Sequence, residues 1–199
     1  SPRRSRRTKR RVRPVRGKAS VKSMRQLFHP CTPDFIANIC KASCCRSSTD
    51  PTGIAVTVTG LTEAQRIEER GGTVDRRTWR IQPVNKRCPF QHPESHFCTI
   101  HDDDEPFGCI ASPFTITNLG TLIVRNRYRL LRCYRAPDAI EVYRAHRRSL
   151  NWILGNDQAA QLASYLDAGG TDDYPLDLDD DIAGWLLDKS KRSKPGEVA

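Results

Sequence analysis

The chain has a helix-like pattern of apolar positions early in its sequence. Thr32–Asp34 has the composition of a helix start, with a hydroxyl, a proline and then an acid. The apolar side chains that follow share one helical face: Phe35, Ile36, Ile39 and Cys40. We therefore predict a helix from Thr32 to about Ala42 that carries Cys40 and Cys44 near its C-terminal end.

Further helices are predicted along the rest of the chain. Leu61–Gln65 opens one, with Thr62 as its cap, Gln65 at the capping-box position and the pair Gly71–Gly72 as its end. Residues 137–154 show helical spacing, and residues 157–167 form another helical stretch. A short amphipathic piece at residues 182–187 ends the pattern.

Strand patterns are short and few. Residues 54–58 and 121–124 are apolar or β-branched runs that follow turn residues, and each is predicted to be a strand. Residues 83–113 are rich in Pro, Cys, His and Asp and show no clear periodicity. We expect that region to be loops held by something other than an apolar core.

The basic charge is concentrated at the start of the chain. The net charge is +10, but residues 1–25 contain twelve Lys or Arg and no acid. The remainder has 33 − 12 = 21 basic residues against 23 acidic ones, a net of −2. The first 27 residues cannot bury enough apolar surface to offset their ordering entropy, so this tail is predicted to be disordered in isolation.

Eight cysteines in a chain this polar call for an explanation. Disulfides, metal binding and buried free thiols are the three alternatives. We find neither a stretch that resembles a secretory signal nor an apolar run long enough to span a membrane. A reducing cytoplasm is therefore the expected location, and there cysteine clusters usually bind metal.

The cysteine spacing favours metal among these alternatives. Cys40 and Cys44 are separated by three residues, so one turn of backbone can direct both sulfurs at one centre. Cys45 cannot easily face the same small centre as Cys44; it could pack, bind a second metal or do chemistry. Thiolates suit zinc, iron or an iron–sulfur cluster such as 4Fe-4S. The candidate ligands are Cys40, Cys44, Cys45, Cys88, Cys98 and Cys109, with Cys31 and Cys133 in addition.

Histidines and acids near these cysteines are weaker candidates. His29, His92, His96 and His101 could each be ligands, and His101, three residues after Cys98, is the best placed. The acidic run at residues 102–105 could bind a hard cation, but such a run is usually a solvated turn.

The ordered set of motifs resembles the bacterial zinc- or iron-chelating domain family of the YkgJ type. The motifs are Cys40-x3-Cys44-Cys45-Arg46, Leu61-Thr62-x-Ala64, Cys88-Pro89-Phe90, Cys98-Thr99-Ile100-His101, Pro106-x-x-Cys109 and Pro113-Phe114. The resemblance covers about residues 28–135. It extends to the cysteine region of flagellin lysine N-methylase, through Cys88-Pro89-Phe90 and the late Cys133. This sequence differs from the family pattern where Glu105-Pro106 replaces an Arg-Pro pair and where Ile110 replaces an arginine. The resemblance implies metal chelation and does not establish an enzyme.

These observations together predict an α+β fold with a small cysteine-rich metal-binding domain, short strands and a helical C-terminal part. The predicted divisions are a basic tail (1–27), a cysteine-cluster domain (28–135), C-terminal helices (136–170), and an acidic linker with a short amphipathic tail (171–199).

Three functions compete on the sequence alone. The first is chelation of zinc or iron. The second is an iron–sulfur-dependent enzyme that modifies a protein lysine, although no glycine-rich nucleotide loop is present. The third is a nucleic-acid-binding protein with structural zinc, whose tail makes nonspecific, salt-sensitive phosphate contacts. The tail residues concerned are Arg3, Arg4, Arg6, Arg7, Lys9, Arg10, Arg11, Arg13 and Arg16.

Overall fold

The chain contains both helices and short strands in small, mostly antiparallel sheets, which is an α+β fold. The computed structural model describes residues 19–45 and 58–187. The strands are β1 (Ala19–Val21), β2 (Leu27–Phe28), β3 (Val74–Asp75), β4 (Arg80–Ile81), β5 (Phe114–Ile116), β6 (Thr121–Val124), β7 (Ile140–Glu141) and β8 (Pro175–Leu176). The helices are α1 (Leu61–Glu69), α2 (Phe107–Ile110), α3 (Val142–Ala145), α4 (Arg147–Leu154), α5 (Asn156–Asp167) and α6 (Asp180–Leu186). A π-helical segment (Phe35–Cys40) and two 3-10 turns (Ser43–Cys45 and Asn126–Leu130) complete the set.

The main sheet joins distant parts of the chain in the order β5-β6-β1-β8. Strand β1 is parallel to β6, with Ser20 opposite Thr121, and antiparallel to β8. Strands β5 and β6 form an antiparallel pair. Two further pairs, β2 with β7 and β3 with β4, are also antiparallel.

Two hydrophobic clusters lie beneath these elements. The larger one gathers the buried side chains of the main sheet and of helices α3 to α6, including Phe114, Leu150 and Leu162. The smaller one is built around α1, β3 and β4, with Ile67 and Ile81 fully buried. Burial of such side chains contributes roughly 1.5–3 kcal/mol each, so both clusters are cohesive units. The cysteine-rich loops lie against both.

The end of the basic segment differs from the prediction of a disordered tail to residue 27. Residues 19–21 and 27–28 form strands, and Val21 and Met24 are fully buried in the larger cluster. The guanidinium of Arg25 donates hydrogen bonds to the carbonyls of Leu166 and Gly170, at 2.8 and 2.9 Å. Arg25 therefore satisfies carbonyls at the C-terminal end of α5 instead of belonging to a solvated tail.

The first predicted helix begins where expected and ends early. The amide of Phe35 donates to Thr32 Oγ1 at 3.4 Å, as a hydroxyl cap would. The turns then widen, because the Lys41 amide bonds the Ile36 carbonyl five residues back at 2.8 Å. Lys41 and Ala42 have φ values of 50° and 45°, which is left-handed backbone, so the helix stops at Cys40.

Helix α1 matches the predicted position, but the predicted cap was wrong. The cap position is Gly60, and Thr62 lies inside the helix. Glu63 instead accepts hydrogen bonds from the Thr59 amide and hydroxyl, at 2.6 and 2.9 Å. Left-handed Gly71, with φ of 89°, follows the end of the helix as predicted.

The C-terminal helices are mostly as predicted. Helix α5 coincides with the predicted stretch, whereas the region from residue 137 contains strand β7 and two helices separated at His146. Pro175–Leu176 is a strand inside the predicted acidic linker, and α6 is the amphipathic piece. Strand β6 is confirmed at Thr121–Val124. The predicted strand at 54–58 lies outside the described residues except for Val58.

Across the described ranges, no helix combines the length and apolar character needed to cross a bilayer.

Candidate metal centre

One cavity of about 420 Å³ gathers every cysteine of the chain. Its lining includes Cys31, Cys40, Cys44, Cys45, Cys88, Cys98, Cys109 and Cys133. All eight are free thiols. Cysteines up to 102 positions apart in the chain, from Cys31 to Cys133, therefore line the same cavity. No local sequence pattern requires this convergence.

The left-handed turn after the π-helical segment directs the first cysteines into the cavity. Cys40 ends that segment, and Cys44 and Cys45 follow in the next 3-10 turn. The amide of the Gln91 side chain donates to the Lys41 carbonyl at 2.9 Å and so holds the turn. Two adjacent residues in left-handed backbone are costly and are typical of functional segments.

Backbone hydrogen bonds attach Cys88 and Cys98 to the same region. The amide of Cys88 donates to the Cys45 carbonyl at 2.8 Å. Gln91 and Cys98 form an isolated antiparallel bridge. The cysteines of the loop therefore have fixed positions although the loop lacks apolar periodicity.

Glu63 positions the helix that carries Cys109. Its Oε1 accepts a hydrogen bond from the Phe107 amide at 2.7 Å, at the first turn of α2. The same buried carboxylate holds Thr59 at the start of α1, so it ties the two helices together.

Cys133 is fixed beside the first cysteines by the chain around it. The His29 amide donates to the Cys133 carbonyl at 2.8 Å, two residues before Cys31. The guanidinium of Arg132 reaches the carbonyl of Ile39 at 3.4 Å, one residue before Cys40.

Cys44 and Cys45 are in hydrogen-bond contact but do not form a disulfide. The Sγ atoms of Cys44 and Cys45 are 4.0 Å apart, whereas a disulfide requires about 2.05 Å. Among the described residues, no three cysteine sulfurs lie within 4.8 Å of one another. Four thiolates on a single tetrahedral zinc, with Zn–S bonds of about 2.3 Å, would lie about 3.8 Å apart. Among the described residues, no set of four sulfurs therefore has the mutual spacing that a single tetrahedral zinc ion requires.

Crowding and burial make most of the thiols poor acids. Loss of solvent, with smaller contributions from neighbouring thiols, raises the pKa of Cys31 and of Cys133 to about 12 and that of Cys88 to about 11. Burial also raises the pKa of Cys109 well above its usual range. Cys31 belongs to this group although its residue surface is exposed, because protein atoms crowd around its thiol. Thiols with raised pKa values stay protonated at neutral pH unless a nearby positive charge stabilises the thiolate.

Cys44 and Cys45 differ sharply from each other. The hydrogen bond between the two thiols lowers the pKa of Cys44 to about 7 and raises that of Cys45. The nearby Arg127 guanidinium also lowers the pKa of Cys44.

Two of the four candidate histidines have local roles. His29 bonds the carbonyl of Pro30 at 2.7 Å and stacks on Phe35, with ring centroids 3.8 Å apart. His92 Nδ1 accepts from the amides of Glu94 and Ser95 in a turn.

His101 lines the cavity within a charged group at one side of it. Its Nδ1 lies 3.0 Å from Glu105 Oε2, and its Nε2 lies 3.7 Å from Asp102 Oδ2. Arg148 pairs with the same two carboxylates, at 2.8 Å to Asp102 and 3.0 Å to Glu105. Asp104 pairs with Arg70 instead. Arginine therefore already neutralises much of the acidic run, which weakens it as a hard-cation site.

Sequence reasoning missed several polar residues of the lining, including His146, Tyr128 and Arg148. Burial lowers the pKa of His146 to about 4, so its imidazole is neutral near pH 7. Its Nε2 is buried and has no hydrogen-bond partner among the described residues. The sequence carried no signal for these residues, because they reach the cavity from the C-terminal helical part and the turn after β6.

Comparison with known proteins adds no relative. No protein-family model, no curated protein and no solved structure matches the chain. The resemblance to the zinc- or iron-chelating family therefore rests on the cysteine pattern and stays a prediction. The nine basic residues proposed for nucleic-acid contact, Arg3 to Arg16, lie outside the described residues, so that hypothesis also stays a prediction.

Proposed function

We propose that this protein binds zinc or iron through thiolates of the cysteine-lined cavity. One observation carries the proposal: all eight cysteines, drawn from four separate stretches of chain, line the same space. Free thiols scattered through a core for packing alone would have no reason to converge. Soft thiolate donors suit zinc, copper(I) and iron–sulfur clusters.

The arrangement favours an iron–sulfur cluster over a single zinc ion. The cavity is about 420 Å³, and among the described residues no three of its sulfurs lie within 4.8 Å of one another, whereas one tetrahedral ion requires a spacing of about 3.8 Å. A cluster such as 4Fe-4S binds each of its thiolates to a different iron and so accepts wider spacing. The bound group would supply the positive charge that compensates the thiolates. The chain's own residues hold it and shield it from water.

The test is the metal and sulfide content of protein purified without oxygen. We expect iron and acid-labile sulfide in comparable amounts, with the broad visible absorption of iron–thiolate bonds. Replacing Cys88→Ser together with Cys109→Ser should remove at least half of the bound metal. A matched control is Ser43→Ala, which changes the same cavity wall without removing a thiol and should leave the metal content unchanged. Zinc without sulfide would support chelation but not a cluster. Protein that contains neither metal, with its thiols oxidised in pairs, would refute the proposal.

A further inference from the structure

The cavity wall has two halves that rest on different hydrophobic clusters. Cys44 and Cys133 pack against the larger cluster. Cys88 belongs to the smaller cluster, and Cys45, Cys98 and Cys109 pack against it. The boundary between the halves falls between the adjacent residues 44 and 45.

Chain contacts assign the other two cysteines to the first half. Cys31 lies two residues after His29, whose amide bonds the Cys133 carbonyl at 2.8 Å. Cys40 follows Ile39, whose carbonyl is reached by the guanidinium of Arg132. The thiols that most affect Cys31 electrostatically are Cys44, Cys133 and Cys40. Cys44 lies at the boundary, because it also raises the pKa values of Cys88, Cys98 and Cys109 in the other half.

The second half is linked in the same way. The Cys88 amide bonds the Cys45 carbonyl at 2.8 Å, and Cys98 is bridged to Gln91, whose amide bonds the Cys88 carbonyl at 3.0 Å. The thiols that act on Cys45 are Cys44, its neighbour in the chain, and then Cys109 and Cys88.

Resting on the function proposed above, we propose that the cavity holds two separate metal centres with four thiolates each. The first is bound by Cys31, Cys40, Cys44 and Cys133. The second is bound by Cys45, Cys88, Cys98 and Cys109. The dipeptide Cys44–Cys45, with sulfurs 4.0 Å apart, gives one ligand to each centre and brings the two close together.

The number of donors supports this division. Four thiolates complete the coordination of one tetrahedral zinc or of one 4Fe-4S cluster, so eight are twice what one centre takes. A single centre with four ligands would leave four thiols without a role in the same cavity.

Three double variants with equal numbers of substitutions test the division. The first is Cys31→Ser with Cys133→Ser, and the second is Cys88→Ser with Cys98→Ser. The third crosses the halves, Cys31→Ser with Cys98→Ser. Each is purified without oxygen, reconstituted with ferrous iron and sulfide, and analysed for iron, zinc and sulfide per chain. We expect the first two variants to retain about half of the wild-type metal and the cross variant to retain almost none.

The outcomes separate this inference from the proposed function. If wild type contains metal but all three variants lose it equally, one shared centre is present and the division is wrong. If either single-half variant keeps its full load, that half is not a centre. If wild type contains no metal, the proposed function itself fails, and the division with it.

A measurement on wild type avoids any folding defect of the variants. Native mass spectrometry during stepwise addition of an organomercurial thiol reagent should reveal a species that retains half of the metal. A direct passage from the full load to none would contradict two centres.

Discussion

At the residue scale, one buried carboxylate organises both sides of the smaller cluster. Glu63 accepts two hydrogen bonds from Thr59 and one from the amide of Phe107. Both of its oxygens are used as acceptors, which explains why an acid is buried here without a cationic partner among its hydrogen bonds. The side chain thereby links the start of α1 to the helix that contains Cys109.

Replacing Glu63→Gln tests this role. The amide keeps one acceptor oxygen and puts an NH₂ group against a donor, so at least one buried N–H loses its partner. We expect the free energy of unfolding to fall by about 1–3 kcal/mol, measured by urea denaturation. The exposed Glu69 of the same helix gives the matched control, because Glu69→Gln should change stability little. Equal effects of the two substitutions would contradict the capping role.

At the scale of elements, the end of α1 is packed against the cysteine loop at Gly72. A Cβ atom at this position would lie 2.7 Å from Phe90 Cζ and 2.8 Å from Ile67 Cγ2. Both neighbours are buried, and Phe90 follows the Cys88–Pro89 pair. Glycine is therefore required at position 72 because a side chain would overlap Phe90 and Ile67. The backbone φ of Gly72 is not the reason.

The substitution Gly72→Ala should destabilise the protein by about 1–3 kcal/mol through this overlap. Because Phe90 must move, the metal content should also fall relative to wild type. Gly184 in α6 is the control, since no non-neighbouring atom of the described residues lies within 4 Å of a Cβ placed there. Gly184→Ala should be neutral or stabilising by up to about 1 kcal/mol, because alanine favours helix. Thermal melts and metal analysis of both variants test this prediction. If Gly72→Ala has the stability and metal content of wild type, the loop is packed less tightly than the contacts imply.

At the scale of the whole molecule, the stability of the part built on the larger hydrophobic cluster should depend less on bound metal than the stability of the part built on the smaller cluster. The larger cluster contains a four-stranded sheet and several helices. Within the described residues, the smaller one is supported by helix α1 and the β3–β4 pair, with the cysteine loops around it. If the cavity binds metal as proposed, this smaller part should gain more folding free energy from the metal than the larger part.

Hydrogen exchange of metal-loaded and metal-free protein tests that difference. After metal removal under reducing conditions, amides of residues 88–109 should exchange at least about tenfold faster, a loss of roughly 1.4 kcal/mol of local protection. Amides of α5 should stay protected, because Leu162 and Leu166 remain buried in the larger cluster. Equal loosening of both regions would mean that the molecule unfolds as one unit.

The sequence alone determined the features that depend on neighbouring residues. Helix α5, the start of the first helix at Thr32 and the left-handed Gly71 follow from spacing and backbone preference within a few positions. The cysteines that could bind metal were also evident from their number and spacing.

Tertiary structure decided which of those residues meet. The pairing of Ser20 with Thr121 draws Val21 and Met24 out of the expected tail and into the core. Likewise, only the packing of the cysteine loops on two clusters places Cys44 against the larger cluster and Cys45 against the smaller one. The same packing brings Cys133 beside Cys31. Local sequence patterns do not predict these long-range contacts, because the contacts arise from burial of apolar surface and from backbone pairing between segments far apart in the chain.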